Sequence, residues 1–154
     1  MEKIENTYKK GIEKFYKIIL EDIIIGFFML EKINDNYPFY LDYFAIFKKF
    51  QNKGYGSKAI NILFDKIILN NGLIGEIEKD NLNNPLTIRR LNFYNKLWFK
   101  KSDSEYLLYN VLYAPILNTR MKKLNKTEID KIFFDYYKIN CGEQEVKNKC
   151  KIIK

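Results

Sequence analysis

Apolar residues crowd into short runs over the first third of the chain, then spread out to helical spacing. FYKIILED (15–22) and IIIGFFMLEKI (23–33) are β-branched and aromatic runs, which predict two strands. Glu21-Asp22 sits between them as a hairpin turn, and Asn34-Asp35-Asn36 is a second turn signal. YPFYLDYFAIF (37–47) then predicts a third strand. Short turns between three strands imply an antiparallel meander. Ahead of it, residues 3–12 read as a short helix ended by Gly11, so that 1–14 forms an N-terminal helical segment.

The period changes at Ser57. Ala59, Ile60, Leu63, Phe64, Ile67 and Ile68 recur at helical spacing, and Asn70-Asn71-Gly72 is a left-handed stop. LIGEIE (73–78) is a short buried-type strand. Strand, glycine loop, helix and strand make one βαβ unit, so strands 37–47 and 73–78 are expected to run parallel. Pro85 and Thr87 introduce a second helix through about Lys96. Strands follow near 105–110 and 112–117. A last amphipathic helix, 126–139, carries Ile129, Ile132, Phe133, Tyr136 and Tyr137 on one face, with Asn125 and Glu128 as a capping-box start. Residues 142–154 read as a frayed tail. The expected class is α+β: a mixed, mostly antiparallel sheet with one parallel βαβ unit and flanking helices, in a single domain over 1–154.

Composition narrows the chemistry. With 154 residues, 47% of them hydrophobic, the chain can bury a proper core. The formal charge of +8 points at first to a polyanion, but only Arg89, Arg90 and Arg120 among the 27 basic residues are arginine. Readers of nucleic acid use arginine forks for guanine and phosphate, so lysine spread along the chain is assigned to a solvated surface and no nucleic-acid partner is expected. There is no histidine, which removes histidine-based metal sites and Ser-His or Cys-His catalysis. No metal is expected. Cys141 and Cys150 read as reduced thiols. The N-terminus is polar through Lys14 and the run Ile23–Leu30 is too short to span a bilayer, so the expected compartment is the cytoplasm and no membrane partner is expected.

The candidate chemistry begins at QNKGYGSKA (51–59). GYGSKA (54–59) satisfies the dinucleotide pattern G-x-G-x-x-G/A, and Glu76 lies about 20 residues on, where a ribose-binding acid belongs. Against that reading, Phe47 to Lys53 intervene between the strand and the glycines, a meander precedes the βαβ unit, and there is only one such unit. The Walker A pattern fails, because Ser57-Lys58 stand in the wrong order after Gly56. What the residues support is an anion cradle. Gly54 and Gly56 let backbone N–H groups turn inward, Ser57 opens a helix whose amides favour an anion, and Lys53 and Lys58 add positive charge. The plain alternative is a glycine turn that merely joins strand to helix.

Gln51-x-x-Gly54-x-Gly56, after a strand ending Phe44-Ala45-Ile46, resembles motif A of the GNAT superfamily of N-acetyltransferases, the Q/R-x-x-G-x-G/A segment that binds the pyrophosphate of acetyl-CoA. RRLNFYNKLWF (89–99) resembles the next signature, a helix carrying F-Y-x-x-x-G-F. The resemblance covers about residues 15–117. It implies acetyl-CoA as co-substrate, with Phe44, Ala45 and Ile46 along the pantetheine arm. It places Gln51, Asn52, Lys53, Gly54, Tyr55, Gly56, Ser57 and Lys58 around the pyrophosphate. It implies direct acetyl transfer to a primary amine, on a small molecule or peptide, with Tyr94 supplying a proton to the departing thiolate. Such domains often pair, so a homodimer is an expectation too.

A base is less defined. Glu76 and Glu78 alternate with Ile77 and so point to one face of a short strand; that face is either an acceptor site or simply wet. Asp42 is a weaker candidate of the same kind. Two departures stand out. Trp98 replaces the family glycine of F-Y-x-x-x-G-F, where left-handed geometry is favoured. Only 14 residues precede FYKIILED, leaving little room for the helices that normally wall the acceptor site; the C-terminal helix or a second subunit is the expected substitute. An inactive CoA-binding domain is therefore the alternative function, and a dinucleotide or nucleic-acid module a further one.

Overall fold

The structure, a computed structural model, describes residues 2–10, 13–69, 71–118, 120 and 123–153, with backbone alone for 2–10 and 13. The chain groups into two compact units, 1–73 and 74–154.

The first unit opens with a strand, β1 (Glu2–Lys10), where the sequence suggested a helix. It pairs antiparallel with β2 (Glu13–Leu20) from Glu2↔Leu20 to Lys10↔Glu13. The weak local helix signal loses to this ladder, because pairing along a whole strand outweighs a small difference in propensity. Gly11, taken as a helix stop, lies outside the described residues. β3 (Ile23–Glu31) follows through the expected two-residue turn, with Glu21 and Asp22 at φ 48° and 66°. Left-handed values at both turn positions match the right-handed twist of the flanking strands. The side chain of Asn34 accepts from the N–H groups of Asn36 and Tyr37 at 3.0 and 3.1 Å and makes the next turn. β4 (Phe39–Ile46) completes a four-stranded antiparallel meander.

After β4 come a 3₁₀ turn (Lys48–Phe50), a glycine turn and α1 (Tyr55–Leu63), which widens into a π-type segment, Phe64–Ile68. Ala59, Ile60, Leu63 and Ile68 are buried, as their spacing predicts, and the helix lies against β1 and β4. The helical run stops at Leu69, φ 50°, whose N–H donates to the Phe64 carbonyl at 2.9 Å, and Gly72 follows at φ 79°. Asn70, part of the expected stop, lies outside the described residues.

β5 (Leu73–Glu78) has the predicted bounds, and from Ile74 on it belongs to the second unit. It pairs antiparallel with β8 (Val111–Asn118), Glu76 opposite Pro115. α2 (Pro85–Asn95) starts at Asn84, whose side chain accepts from the Leu86 N–H at 3.2 Å, with proline in the first turn. β6 (Phe99–Lys101), which the sequence pattern did not reveal, pairs with β8, as does β7 (Tyr106–Leu108) through a turn at Tyr109-Asn110. α3 (Lys126–Cys141) opens with the predicted capping box, Asn125 and Glu128 bonding each other's backbone N–H.

The tail is not frayed. Residues 143–149 form α4 (Glu143–Lys149), and β9 (Cys150–Ile152) adds to β7. Val146 and Cys150 join Tyr106, Leu108 and Phe133 in one apolar cluster. Each piece is too short to show a period, so burial alone orders them. Beneath that cluster Asp130 accepts from Ser104 at 2.8 Å and from Tyr106, while Lys126 holds its other oxygen at 2.9 Å.

Candidate active site

The glycine turn runs from the end of β4 to α1. Gln51 folds back so that its side-chain amide donates to the Ile46 carbonyl at 2.8 Å, tying the turn to the strand end. Asn52 and Gly54 take left-handed values, φ 64° and 82°. Gly54, not a residue nearer Ser57, is the helix N-cap, and its carbonyl accepts from the Lys58 N–H at 3.2 Å. The helix therefore opens at Tyr55, and Tyr55, Gly56 and Ser57 make its first turn; the expected start at Ser57 is two residues late. The reason is local: the left-handed Gly54 reverses the chain by itself, so the next residue is already helical.

No side chain caps α1. The amides of a first helical turn lack intrahelical partners, so those of Tyr55, Gly56 and Ser57 face outward at the positive end of the helix dipole. A Cβ built on Gly54 would meet no described atom within 4 Å. Lys53 and Lys58 are exposed on either side, with the Lys58 ammonium 5.8 Å from the Tyr55 ring centre. Tyr55 itself packs edge-on to Phe50 at 6.5 Å.

Phe44, Ala45 and Ile46 are half-buried in β4, opposite Phe28, Phe27 and Gly26 of β3. Phe44 stacks on Phe28 at 4.6 Å. Gly26 is a residue that sequence reasoning passed over. A Cβ there would come within 2.2 Å of the Ala45 carbonyl oxygen, so only glycine lets the two strands approach this closely. Its signal was available: a lone glycine inside an apolar strand marks a bulge or a close backbone contact.

In the second unit, Tyr94 lies near the C-terminal end of α2, 8% exposed, edge-on to Phe93 and Phe99 at 5.2 Å each. Burial pushes its phenol up to about 12, against a small opposing pull from the Arg90 charge. Two residues beyond the helix cap, Trp98 adopts φ 66°, the left-handed conformation expected of the glycine it replaces. It is 61% exposed, with the Arg120 guanidinium 5.9 Å over its ring. The helix thus ends in the usual geometry despite the wrong residue.

Glu76 and Glu78 do share a face of β5, but their partners differ. Glu76 accepts a hydrogen bond from the Tyr137 hydroxyl of α3. Glu78 lies 3.9 Å from Arg90 of α2. Tyr137 had been read only as part of an apolar helix face; a tyrosine there carries a polar tip that spacing cannot assign. Asp42 is half-buried in β4 of the first unit. Cys141 is exposed and Cys150 buried, both as free thiols, and burial pushes Cys150 up to about 11, with the Glu76 charge adding to it. Among the described residues no group of three or more His, Cys, Asp or Glu is placed to hold a metal ion. No described helix is long and apolar enough to cross a membrane.

No family model and no curated protein matches the sequence. Solved structures do resemble the fold. A Bacteroides thetaiotaomicron protein described as a GNAT-family acetyltransferase aligns with a TM-score of 0.70 at 21% identity, over 86% of this chain and 74% of its own. A Bacillus subtilis acetyltransferase in complex with CoA aligns at 0.60 and 11% identity, over 80% of this chain and all of its own. The ribosomal-protein-S18-alanine N-acetyltransferase of Escherichia coli aligns at 0.57 and 12% identity, over 77% of this chain and 76% of its own. The α+β fold of this chain is the GNAT acetyltransferase fold.

Proposed function

We propose that the protein is an acetyltransferase that moves an acetyl group from acetyl-CoA to a primary amine. The observation that carries this reading is the Gln51–Ser57 turn: a left-handed Gly54 opening α1 with no capping side chain and no described atom within 4 Å of where its Cβ would stand. Outward amides, a helix dipole and flanking lysines suit a pyrophosphate. Acetyl-CoA, as co-substrate, supplies an activated acetyl thioester. Gln51, Asn52, Lys53, Gly54, Tyr55, Gly56, Ser57 and Lys58 are assigned to its phosphates, and the Phe44–Ile46 backbone to its pantetheine arm. A strand amide is the natural donor to a developing oxyanion.

Tyr94 is assigned to the departing sulfur. At about 12 it stays a phenol at neutral pH. An ordinary thiol near about 8.5 is the stronger acid, so Tyr94 acts chiefly by donating a hydrogen bond. Glu76 is assigned as the group that draws a proton from the acceptor ammonium through water, with Glu78 beside it. The acceptor is a small-molecule or peptide amine; the alanine N-acetyltransferase of similar fold supports the peptide class. The reaction is placed in the cytoplasm, and a homodimer is part of the proposal.

A second reading, a CoA-binding domain without turnover, draws on the burial of Tyr94, whose ring packs edge-on against Phe93 and Phe99. A thermal-shift series with acetyl-CoA, CoA, NAD and ATP separates the cases. Stabilisation by both CoA species supports the proposal. Stabilisation by NAD alone would sink it. Thiol release across a panel of small amines and free-N-terminus peptides, slow and unchanged in Tyr94→Phe, would favour the inactive binder.

A further inference from the structure

Glu76 is held by a residue that the assigned chemistry does not use. Tyr137, in the fourth turn of α3, donates its hydroxyl to Glu76 Oε1. The donor ring is itself fixed. It lies 4.8 Å from Phe133 and 5.1 Å, edge-on, from Tyr136. Phe133 in turn stacks at 3.7 Å on Tyr106, whose hydroxyl bonds the half-buried Asp130. α3 is thereby locked to β7, and Tyr137 is presented to β5 with little rotamer freedom.

We propose that Tyr137 is the positioning residue for Glu76: α3 supplies a fixed phenol that holds the carboxylate in one orientation for proton transfer from the acceptor amine. This rests on the reading of Glu76 as the proton-drawing group. α3 then forms part of the wall of the acceptor side. A half-buried carboxylate at a sheet face is otherwise driven toward its neutral form, which cannot take a proton. A donated hydrogen bond favours the ionised form and narrows its geometry. Among the described residues, the Cys150 thiol of β9 is close enough to feel the Glu76 charge, and Glu78, 3.9 Å from Arg90, lies on the same strand.

The test compares Tyr137→Phe, Glu76→Gln and the wild-type protein, using the amine of the panel that is acetylated fastest. Tyr137→Phe keeps the ring and removes the hydroxyl that donates to Glu76. It is expected to lower kcat by between about 10- and 100-fold, the cost of a misplaced reacting group, with KM for acetyl-CoA within about twofold and the acid limb of the pH profile moved upward. Glu76→Gln is expected to lose that limb altogether. 3-Fluorotyrosine at position 137, a stronger donor in the same ring, is expected to move the limb the other way, which keeps the test independent of any folding defect in the phenylalanine variant. If Glu76→Gln is slow while Tyr137→Phe and the fluorinated protein match wild type in kcat and limb, the positioning role is overturned and the base stands. If Glu76→Gln matches wild type, the base assignment falls and the inference with it. If no amine is acetylated, carboxyl-carbon NMR titration of Glu76 decides: an unchanged midpoint in Tyr137→Phe overturns the inference.

Discussion

The side-chain amide of Asn118 donates to the backbone carbonyl of Leu97 at 3.1 Å, and its oxygen accepts from the Arg120 N–H at 2.9 Å. Asn118 is 1% exposed. One buried amide thus pins the end of α2, just past Tyr94, to the end of β8. Asn118→Ala would strand the Leu97 carbonyl and the Arg120 N–H. A loss of about 1–3 kcal/mol is expected for an orphaned buried partner, read as a lower urea midpoint at unchanged slope.

Trp98 supplies a cleaner energetic comparison. A side chain at φ 66° costs about 1–2 kcal/mol relative to glycine. Both Trp98→Gly and Trp98→Ala lose the Arg120 contact, so their difference isolates the backbone. Trp98→Gly should be the more stable of the two by about 1 kcal/mol. Equal thermal melts would show that the left-handed turn has relaxed.

The two informative glycines should fail differently. Gly54→Ala has room for its methyl but not the right φ, so a cost of about 1 kcal/mol is expected, with weaker acetyl-CoA binding by calorimetry. Gly26→Ala meets the Ala45 carbonyl oxygen, a backbone atom that cannot step aside. It should cost more stability, about 1–3 kcal/mol. It should also disturb the Phe44–Ile46 segment.

Asp130 predicts an acid sensitivity. Burial alone would raise its carboxyl, but bonds from Tyr106, Lys126 and Ser104 outweigh that and hold it below its ordinary value. A folded-state value below the unfolded one, about 3.9, stabilises the fold fully above that pH. The contribution is lost as pH falls through the depressed folded value. Urea unfolding between neutral pH and about pH 3 should show a slope that Asp130→Asn reduces; an unaltered slope would assign the acid sensitivity elsewhere.

The cysteines should separate by reactivity. Cys141 is exposed, whereas Cys150 is buried and its thiol pushed up to about 11. At pH 8 the thiolate fraction of Cys150 is small, and the thiolate is the reacting form. Mass spectrometry after brief iodoacetamide treatment should find Cys141 modified first.

Much of this was legible from local pattern. The turn at Glu21-Asp22, the β5 bounds 73–78, the start of α2 at Pro85 and the Asn125–Glu128 capping box each rest on neighbours within a few residues. The glycine loop was legible for the same reason, since a left-handed residue at a helix start is a local demand. Residues 2–10 were misread because nothing inside the segment reveals the strand it pairs with. α4, β9 and β6 were missed because three to seven residues carry no period.

By itself, then, the sequence determined the succession of most elements, the two-glycine turn and the position of Tyr94 on its helix, since these follow from backbone preferences and short-range periodicity. Only the tertiary structure decided which groups Glu76 and Glu78 face, why Gly26 must be glycine, and that Val146 and Cys150 belong to a core. Those depend on residues distant in the chain, such as Tyr137, 61 positions from Glu76. A hydrogen bond or a backbone clash at that separation leaves no trace in local order.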